Sequence, residues 1–445
     1  MFQPTGFADL AGLRVGIFGY GIEGRAARRR LEGIAQDMVL VDDARLSDPS
    51  VLISSDGGLD ALLACDVVLK SPGIARRRPD VLDLEIHGVA ITSALNLWLH
   101  EIDRSRVVAI TGTKGKSTTT ALISFFLHCL DEPALRLGNI GQPPYDPDVD
   151  TSEGWLVLEV SSFQCVDIDV APGIVIVTSL GADHLDWHGT LEQYQRDKLS
   201  LTRAWGDHRT LVPDNPTFRG IADQLGGDLT FVSPDAHHLA TALGLTGSHN
   251  DSNVAFALEA TAQLISRTPD EVRQRVESMA STFEPLRGRL TLIATERRGA
   301  TLLRYVDDGL ATGPLPTTAA LEVFSEDPVA LIAGGFDRGV DYVALAEALA
   351  DRHPLTVLIT MGDAGRRIGD ALARLRPDVD QFHVPNMTEA VAVARRHMVD
   401  GGVVLLSPGA PSFDQYRNWE ERSDDFTARV LELTRSRNLG RNSNS

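Results

Sequence analysis

Short apolar runs alternate with amphipathic stretches along almost the whole chain. Arg14–Phe18 and Met38–Val41 read as buried strands, with Arg25–Leu31 as the helix between them. Asp66–Lys70 gives a third strand, ending at Ser71-Pro72-Gly73. A second block opens near Arg104. There Arg106–Ile110 reads as a buried strand, a Gly-rich turn follows, and Ala121, Leu122, Phe125, Phe126 and Leu130 mark the apolar face of a helix. Trp155–Val160 and Gly173–Ser179 supply further strands, and a helix from Asn250 to about Leu264 closes the block. A third block starts near Arg289, with strands at Leu302–Val306, Val329–Ala333, Thr356–Thr360 and Val403–Leu406. Strands alternating with helices imply an α/β fold with mostly parallel sheets. The expected domains are residues 1–103, 104–288 and 289–445, and the polar tail Arg435–Ser445 reads as frayed.

Composition narrows the function classes. A chain of 445 residues is too long for one core. Its net charge of −19 argues against a nucleic-acid or anionic-membrane partner, so an anionic ligand must be held by local positive sites. Cys65, Cys129 and Cys165 lie far apart without metal-ligand spacing, which suits reduced core residues of a cytoplasmic protein. The N-terminus lacks the basic start of a signal peptide, and no apolar run approaches the roughly 18 residues of a membrane span.

The chemistry concentrates at strand ends. Ala109–Thr120 reads strand, Gly-rich loop, helix, the layout of a phosphate loop, although Ile110 stands where the first glycine of the full pattern would be. The N–H groups of Gly112, Thr113, Lys114 and Gly115 and the helix N-terminus with Thr118 can hold polyphosphate oxygens. Lys116 can reach the β/γ-phosphates, and Ser117 can place its hydroxyl on Mg²⁺. The first block opens with Gly19-Tyr20-Gly21-Ile22-Glu23-Gly24 after a strand, and Asp42 and Asp43 end the next strand. That spacing serves NAD, another nucleotide diphosphate such as a UDP-sugar, or simply a tight strand–helix turn. Glu159 ends a strand and could hold Mg²⁺ or be solvated there. Asp183, His184, Asp186 and His188 crowd the loop after the next strand, suggesting metal or phosphate chemistry. By itself Lys198 reads as a solvated helix lysine. Asn250 reads first as a helix cap, and it or Asn253 could meet adenine. Arg287 and Arg289 sit at the hinge into the third block, where either a phosphate or plain solvent could occupy them.

In order and spacing, Gly19–Gly24, Ser71-Pro72-Gly73, Thr111–Thr118, Asn139-Ile-Gly141, Glu159–Gln164, Asp183-His184 with Lys198, His249-Asn250, Ser407-Pro408 and Asp414–Glu420 resemble a Mur ligase over nearly the whole chain. The MurD type, which joins glutamate to UDP-N-acetylmuramoyl-L-alanine in peptidoglycan precursor synthesis, is the closest match. The resemblance implies a Rossmann-like UDP-binding domain, a P-loop ATPase-like central domain and a Rossmann-like glutamate-binding domain, in a monomer. It implies that Gly19, Tyr20, Gly21, Ile22, Asp42, Ser71, Pro72, Gly73, Asn139, Ser161 and Gln164 bind the UDP substrate. Asn250, Asn253, Arg289 and Asp308 would face ATP. Glu159, His184 and Ser117 would hold Mg²⁺ with a carbamylated Lys198, and Lys116, His184 and Lys198 would be catalytic. Thr312, Arg338, Ser412 and Trp419 would hold glutamate.

One loop departs from the common pattern. D-glutamate ligases of this type carry Asp-Ser-Lys-Ala-Thr-Asn after the first strand of the third domain. This chain reads Asp308-Gly-Leu310-Ala-Thr312-Gly-Pro314, so Leu310 replaces a cation beside a dicarboxylate. The altered loop resembles the subgroup that adds L-glutamate, whose product a separate epimerase inverts. Ordinary D-glutamate ligation stands as the alternative. A folylpolyglutamate-synthase-like ligase fits less well, because those enzymes lack a UDP-type first block. A non-catalytic nucleotide-binding regulator is opposed by the intact Lys116, Glu159, His184 and Lys198.

Overall fold

The computed structural model describes residues 3–139, 142–181, 185–245, 247–354 and 356–441. The chain forms two compact units, Met1–Glu284 and Pro285–Ser445. The first unit holds two sheets. One contains β1 (Arg14–Phe18), β2 (Asp37–Asp42), β3 (Val51–Ile53), β4 (Val67–Lys70) and β5 (Ala90–Thr92), all parallel, in the order β3-β2-β1-β4-β5. The other contains β6 (Val107–Thr111), β7 (Ala134–Gly138), β8 (Trp155–Glu159), β9 (Ile174–Val177), β10 (Arg209–Pro213) and β11 (Asp228–Val232). Its order is β11-β10-β9-β6-β8-β7, again parallel throughout.

The second unit carries β12 (Thr291–Arg298), β13 (Thr301–Asp307), β14 (Val329–Gly334), β15 (Thr356–Met361), β16 (Gln381–His383) and β17 (Gly402–Leu406). The order is β12-β13-β17-β14-β15-β16, and only β12 runs antiparallel to its neighbour. The α/β class with three mostly parallel sheets is therefore the observed architecture. Central strands such as β6, β9 and β14 are buried along their whole length, which is why they are continuous apolar runs. In each sheet the order reverses at a central strand, and ligands of open α/β sheets bind at the carboxyl ends there. These ends carry the loops after β1 and β4, after β6, β8 and β9, and after β13, β14 and β17.

The expected helix Asn250–Leu264 starts at His249, but it does not close the second block. A further helix, Pro269–Glu277, follows, started by Pro269 and a reciprocal capping box between Thr268 and Glu271. The tail is not frayed from Arg435: one helix runs from Trp419 to Arg441. Its buried Phe426 and Val430 dock it on the third sheet's core. All three cysteines are free and buried. No helix among the described residues is long and apolar enough to cross a membrane.

Two glycines of the first strand–helix turn differ in kind. A Cβ on Gly24 would lie 2.1 Å from the Gly19 carbonyl oxygen, whereas Gly21 has open space around it. Gly24→Ala should destabilise the first unit by about 2–4 kcal/mol, and Gly21→Ala by less than about 1 kcal/mol. Urea unfolding of both variants measures the contrast, and equal losses would refute it.

Candidate active site

The phosphate loop is possible only because of two glycines. Gly112 holds φ +145°, and a Cβ there would lie 2.0 Å from Thr178 Oγ1. Gly115, the N-cap of the helix Lys116–Cys129, holds φ +89°, and its Cβ would lie 2.5 Å from Asn253 Oδ1. The loop thus passes between the end of β9 and the helix His249–Leu264. Thr113 N donates to Ser179 O at 3.0 Å, Lys114 N to Ser179 Oγ at 2.7 Å, and Gly181 N to Thr113 Oγ1 at 2.9 Å. Lys116 Nζ arches over the loop and donates to Gly112 O at 2.8 Å and Thr113 O at 3.3 Å. Ser117 is buried and Thr118 half-buried in the first helical turn, where the helix dipole favours an anion.

Asn250 is not a cap. It lies inside the first turn, and Ser248 occupies the N-cap without a side-chain bond. Asn253 Nδ2 donates to Asn250 Oδ1 at 2.9 Å, and Thr119 Oγ1 donates to Asn253 Oδ1 at 3.3 Å. Both amides are therefore buried against the phosphate-loop helix.

β8 delivers Glu159 beside this loop. Asn139 Nδ2 donates to Glu159 Oε1 at 2.9 Å, while the buried Oε2 has no hydrogen-bond partner among the described residues. Lys198 is buried rather than solvated, because the helix Leu191–Leu199 turns it inward. Its Nζ donates to Gly112 O at 3.0 Å and lies 5.0 Å from the centre of the Tyr194 ring. Tyr194 OH in turn shares a 2.8 Å hydrogen bond with Thr113 Oγ1, a contact the sequence reading missed. A buried carboxylate oxygen without a partner among the described residues, on the strand paired with the one that leads into the phosphate loop, offers the hard oxygen donor that Mg²⁺ takes. Asp183 and His184 lie outside the described residues. Among the described residues no three His, Cys, Asp or Glu side chains gather as a metal site. His188 departs from the expected metal or phosphate chemistry: Nδ1 meets Asp197 Oδ2 at 2.7 Å and Nε2 meets Ser162 Oγ at 3.0 Å. Asp197 also accepts from Arg77 Nη1 and Nη2, at 2.9 and 2.7 Å.

In the first block the loops after β1, β2 and β4 converge. Tyr20 N donates to Asp42 Oδ2 at 2.7 Å, and Ser71 Oγ donates to Gly19 O at 2.6 Å. The other Asp42 oxygen accepts from Ala44 N at 2.9 Å, so this carboxylate closes its own turn. Gly21, Ile22 and Gly73 are exposed at this edge, with Pro72 half-buried beside them. Ser161 and Gln164 form the capping box of the helix Ser162–Cys165. Gln164 Nε2 donates to Glu23 Oε1 at 2.8 Å, which joins the first sheet's site to the second's.

In the second unit β13 ends in two buried carboxylates. Asp307 Oδ1 accepts from Gly309 N at 2.9 Å and Ser423 Oγ at 3.0 Å. Asp308 Oδ2 accepts from Ser407 Oγ at 2.8 Å, and burial raises its pKa to about 7 against the pull of the Arg289 charge. Leu310 is half-buried and Thr312 exposed on the same loop. Ser412 is buried after β17, and the exposed Arg338 lies after β14 with its guanidinium 5.8 Å from the Phe413 ring centre. Trp419 packs on Gly288, where a Cβ would come within 2.5 Å of the indole. Sequence reasoning missed Arg422. Fully buried, it donates from Nη1 to Gly334 O at 3.3 Å and Ala410 O at 3.0 Å, and from Nη2 to Gly309 O at 3.2 Å. One cation ties the loops after β13, β14 and β17. Its position two residues past the motif ending at Glu420 was the available signal.

Residues 110–225 match the Mur ligase middle domain. A UDP-N-acetylmuramoyl-L-alanine–L-glutamate ligase from Micromonospora sp. is 38% identical over 95% of this chain and 97% of its own. The chain belongs to the MurD-type Mur ligases. Enzymes of the same name from Salinispora tropica and Xanthomonas axonopodis pv. citri are 37% and 33% identical, each over at least 94% of both chains. In fold, this Mur ligase is similar to the MurC ligase of Thermotoga maritima, with a TM-score of 0.52 over 95% of this chain and all of that one, at 18% identity. It is also similar to MurF of Acinetobacter baumannii, with a TM-score of 0.53 over 95% of this chain and 92% of that one, at 14% identity.

The Asp308 shift has a stability consequence. Unfolded, this carboxyl titrates near 3.8; folded, near 7. Between those values folding takes up a proton, so the group's contribution to stability falls as pH rises and levels off above pH 7. Asp308→Asn should therefore gain stability over the parent as pH rises from about 4 to 7, by up to about 1.4 kcal/mol per pH unit. Thermal unfolding against pH checks this, and a gap independent of pH would refute it.

Proposed function

We propose that this Mur ligase adds L-glutamate to UDP-N-acetylmuramoyl-L-alanine at the expense of ATP. The observation that carries the reading is the run of full-length relatives, all named for L-glutamate, together with Leu310 at the position where D-glutamate ligases carry lysine. Residues 1–103 hold the UDP substrate, 104–288 hold ATP, and 289–445 hold glutamate. The product's L-glutamyl centre would then pass to an epimerase.

A carboxylate and an amine do not condense in neutral water, so the alanyl carboxylate is first converted to an acyl phosphate. The N-terminus of the helix Lys116–Cys129 orients the polyphosphate, with the N–H groups of Thr113 and Lys114 exchanging their Ser179 partners for phosphate oxygens. Lys116 exchanges its contacts with Gly112 O and Thr113 O for the transferring phosphoryl group, whose charge it offsets. Ser117 and the unpartnered Glu159 Oε2 would hold Mg²⁺, with His184 and a carbamylated Lys198. When bound, the metal supplies charge neutralisation on the phosphates. A free ammonium at Lys198 would repel that ion, whereas a carbamate presents carboxylate oxygens. Thr312, Arg338 and Ser412 hold the incoming glutamate carboxylates, Asn250 and Asn253 lie toward adenine, and Arg289 and Asp308 face the nucleotide. The glutamate amine then attacks the acyl carbon and phosphate leaves.

Phosphate release with ATP, Mg²⁺ and UDP-N-acetylmuramoyl-L-alanine should require L-glutamate. Turnover confined to D-glutamate would overturn the stereochemical part, and no turnover with either would overturn the whole. Lys116→Ala should lower kcat by about 10³-fold or more. Lys198→Ala should be inactive and partly restored by short carboxylic acids; wild-type activity without them would remove Lys198 from the metal site.

A further inference from the structure

A buried ion pair joins the two sheets of the first unit and serves no step of the reaction just described. Lys70, the last residue of β4, lies 2.7 Å from Asp167, and both side chains are wholly shielded from solvent. Lys70 Nζ also donates to Ile74 O at 2.8 Å and Ser71 O at 3.3 Å, drawing the loop Ser71-Pro72-Gly73 around itself. Asp167 follows the helix Ser162–Cys165, with its N–H on Gln164 O at 3.1 Å. Lys70 Nζ faces Asp167 Oδ2 and Arg76 lies 3.9 Å from Oδ1, while burial pushes the carboxyl's pKa up. Glu23, inside Gly19–Gly24, completes the cluster by accepting from Gln164 Nε2 at 2.8 Å and Tyr145 OH at 3.1 Å.

Three separate segments meet here: Gly19–Gly24, Ser71–Gly73 and Ser161–Gln164. Burying such a pair is a poor way to gain stability, since apolar residues of similar volume usually do as well or better. Apolar residues could not grip the carbonyls of Ser71 and Ile74. We propose that Lys70 and Asp167 are positioning residues for the UDP substrate: the ammonium shapes the Ser71–Gly73 loop, and the carboxylate registers that loop against the helix bearing Gln164. The proposal rests on the reading of these segments as the UDP-substrate site.

Titration calorimetry with UDP-N-acetylmuramoyl-L-alanine, and separately with ATP, tests it alongside thermal unfolding. Lys70→Met should weaken binding of the UDP substrate at least tenfold, leave ATP binding within twofold, and lower the Tm, because Asp167 stays buried without its counter-charge. Lys70→Met/Asp167→Leu should recover the Tm but not the affinity. A merely structural pair would recover both together, and that result would overturn the proposal. So would wild-type affinity in Lys70→Met, or equal losses for both ligands. Absence of UDP-substrate binding in the wild-type chain would overturn the site reading itself and the proposal with it.

Discussion

The phosphate loop lies so close to the end of β9 that no side chain fits between them. Thr178 Oγ1 occupies the space a Gly112 Cβ would need, and Asn253 does the same at Gly115. That closeness ties the Thr113 and Lys114 N–H groups to Ser179 and leaves the Gly112 carbonyl where both Lys116 and Lys198 reach it. Tyr194, Thr113 and Ser179 are set by the same contact. Much of the arrangement around the phosphate loop follows from a backbone with no room for a Cβ.

A second regularity runs through all three sheets. Each has a buried basic residue at its carboxyl edge that donates to at least one loop carbonyl: Lys70 in the first, Lys198 in the second and Arg422 in the third. Carbonyl oxygens of loops leaving a parallel sheet lack ladder partners, and a buried unpaired acceptor is unfavourable. A long cationic side chain satisfies several at once and holds the loops in one geometry. Arg422 keeps its charge at neutral pH although burial lowers its pKa to about 10.

The two units use buried carboxylates differently. In the first, Glu159 keeps one oxygen without a hydrogen-bond partner among the described residues, and Asp167 faces the buried Lys70 ammonium at 2.7 Å. In the second, burial raises the Asp308 pKa to about 7 even though the Ser407 hydroxyl donates to it and favours the charged form. A carboxyl that keeps its proton can donate as well as accept, whereas both Asp42 oxygens accept from backbone N–H groups, of Tyr20 and Ala44.

Local sequence determined the long central strands, the Gly-Lys-Ser turn at a strand–helix junction and the family motifs, because buried parallel strands are apolar runs and tight turns need glycine. The three-residue strands β3, β5 and β16 were not legible, since two or three side chains show no period. The helix Pro269–Glu277 was legible in its Thr268–Glu271 box and was passed over. Only the tertiary structure decided which polar residues are buried. Lys198 reads as a solvated helix lysine until the sheet closes over it, and His188 reads as a ligand until Asp197 and Ser162 take both its nitrogens. Lys70 and Asp167 stand 97 residues apart and meet only when two sheets pack. Charge pairing across such separations leaves no local pattern, because the partner is chosen by topology rather than by spacing.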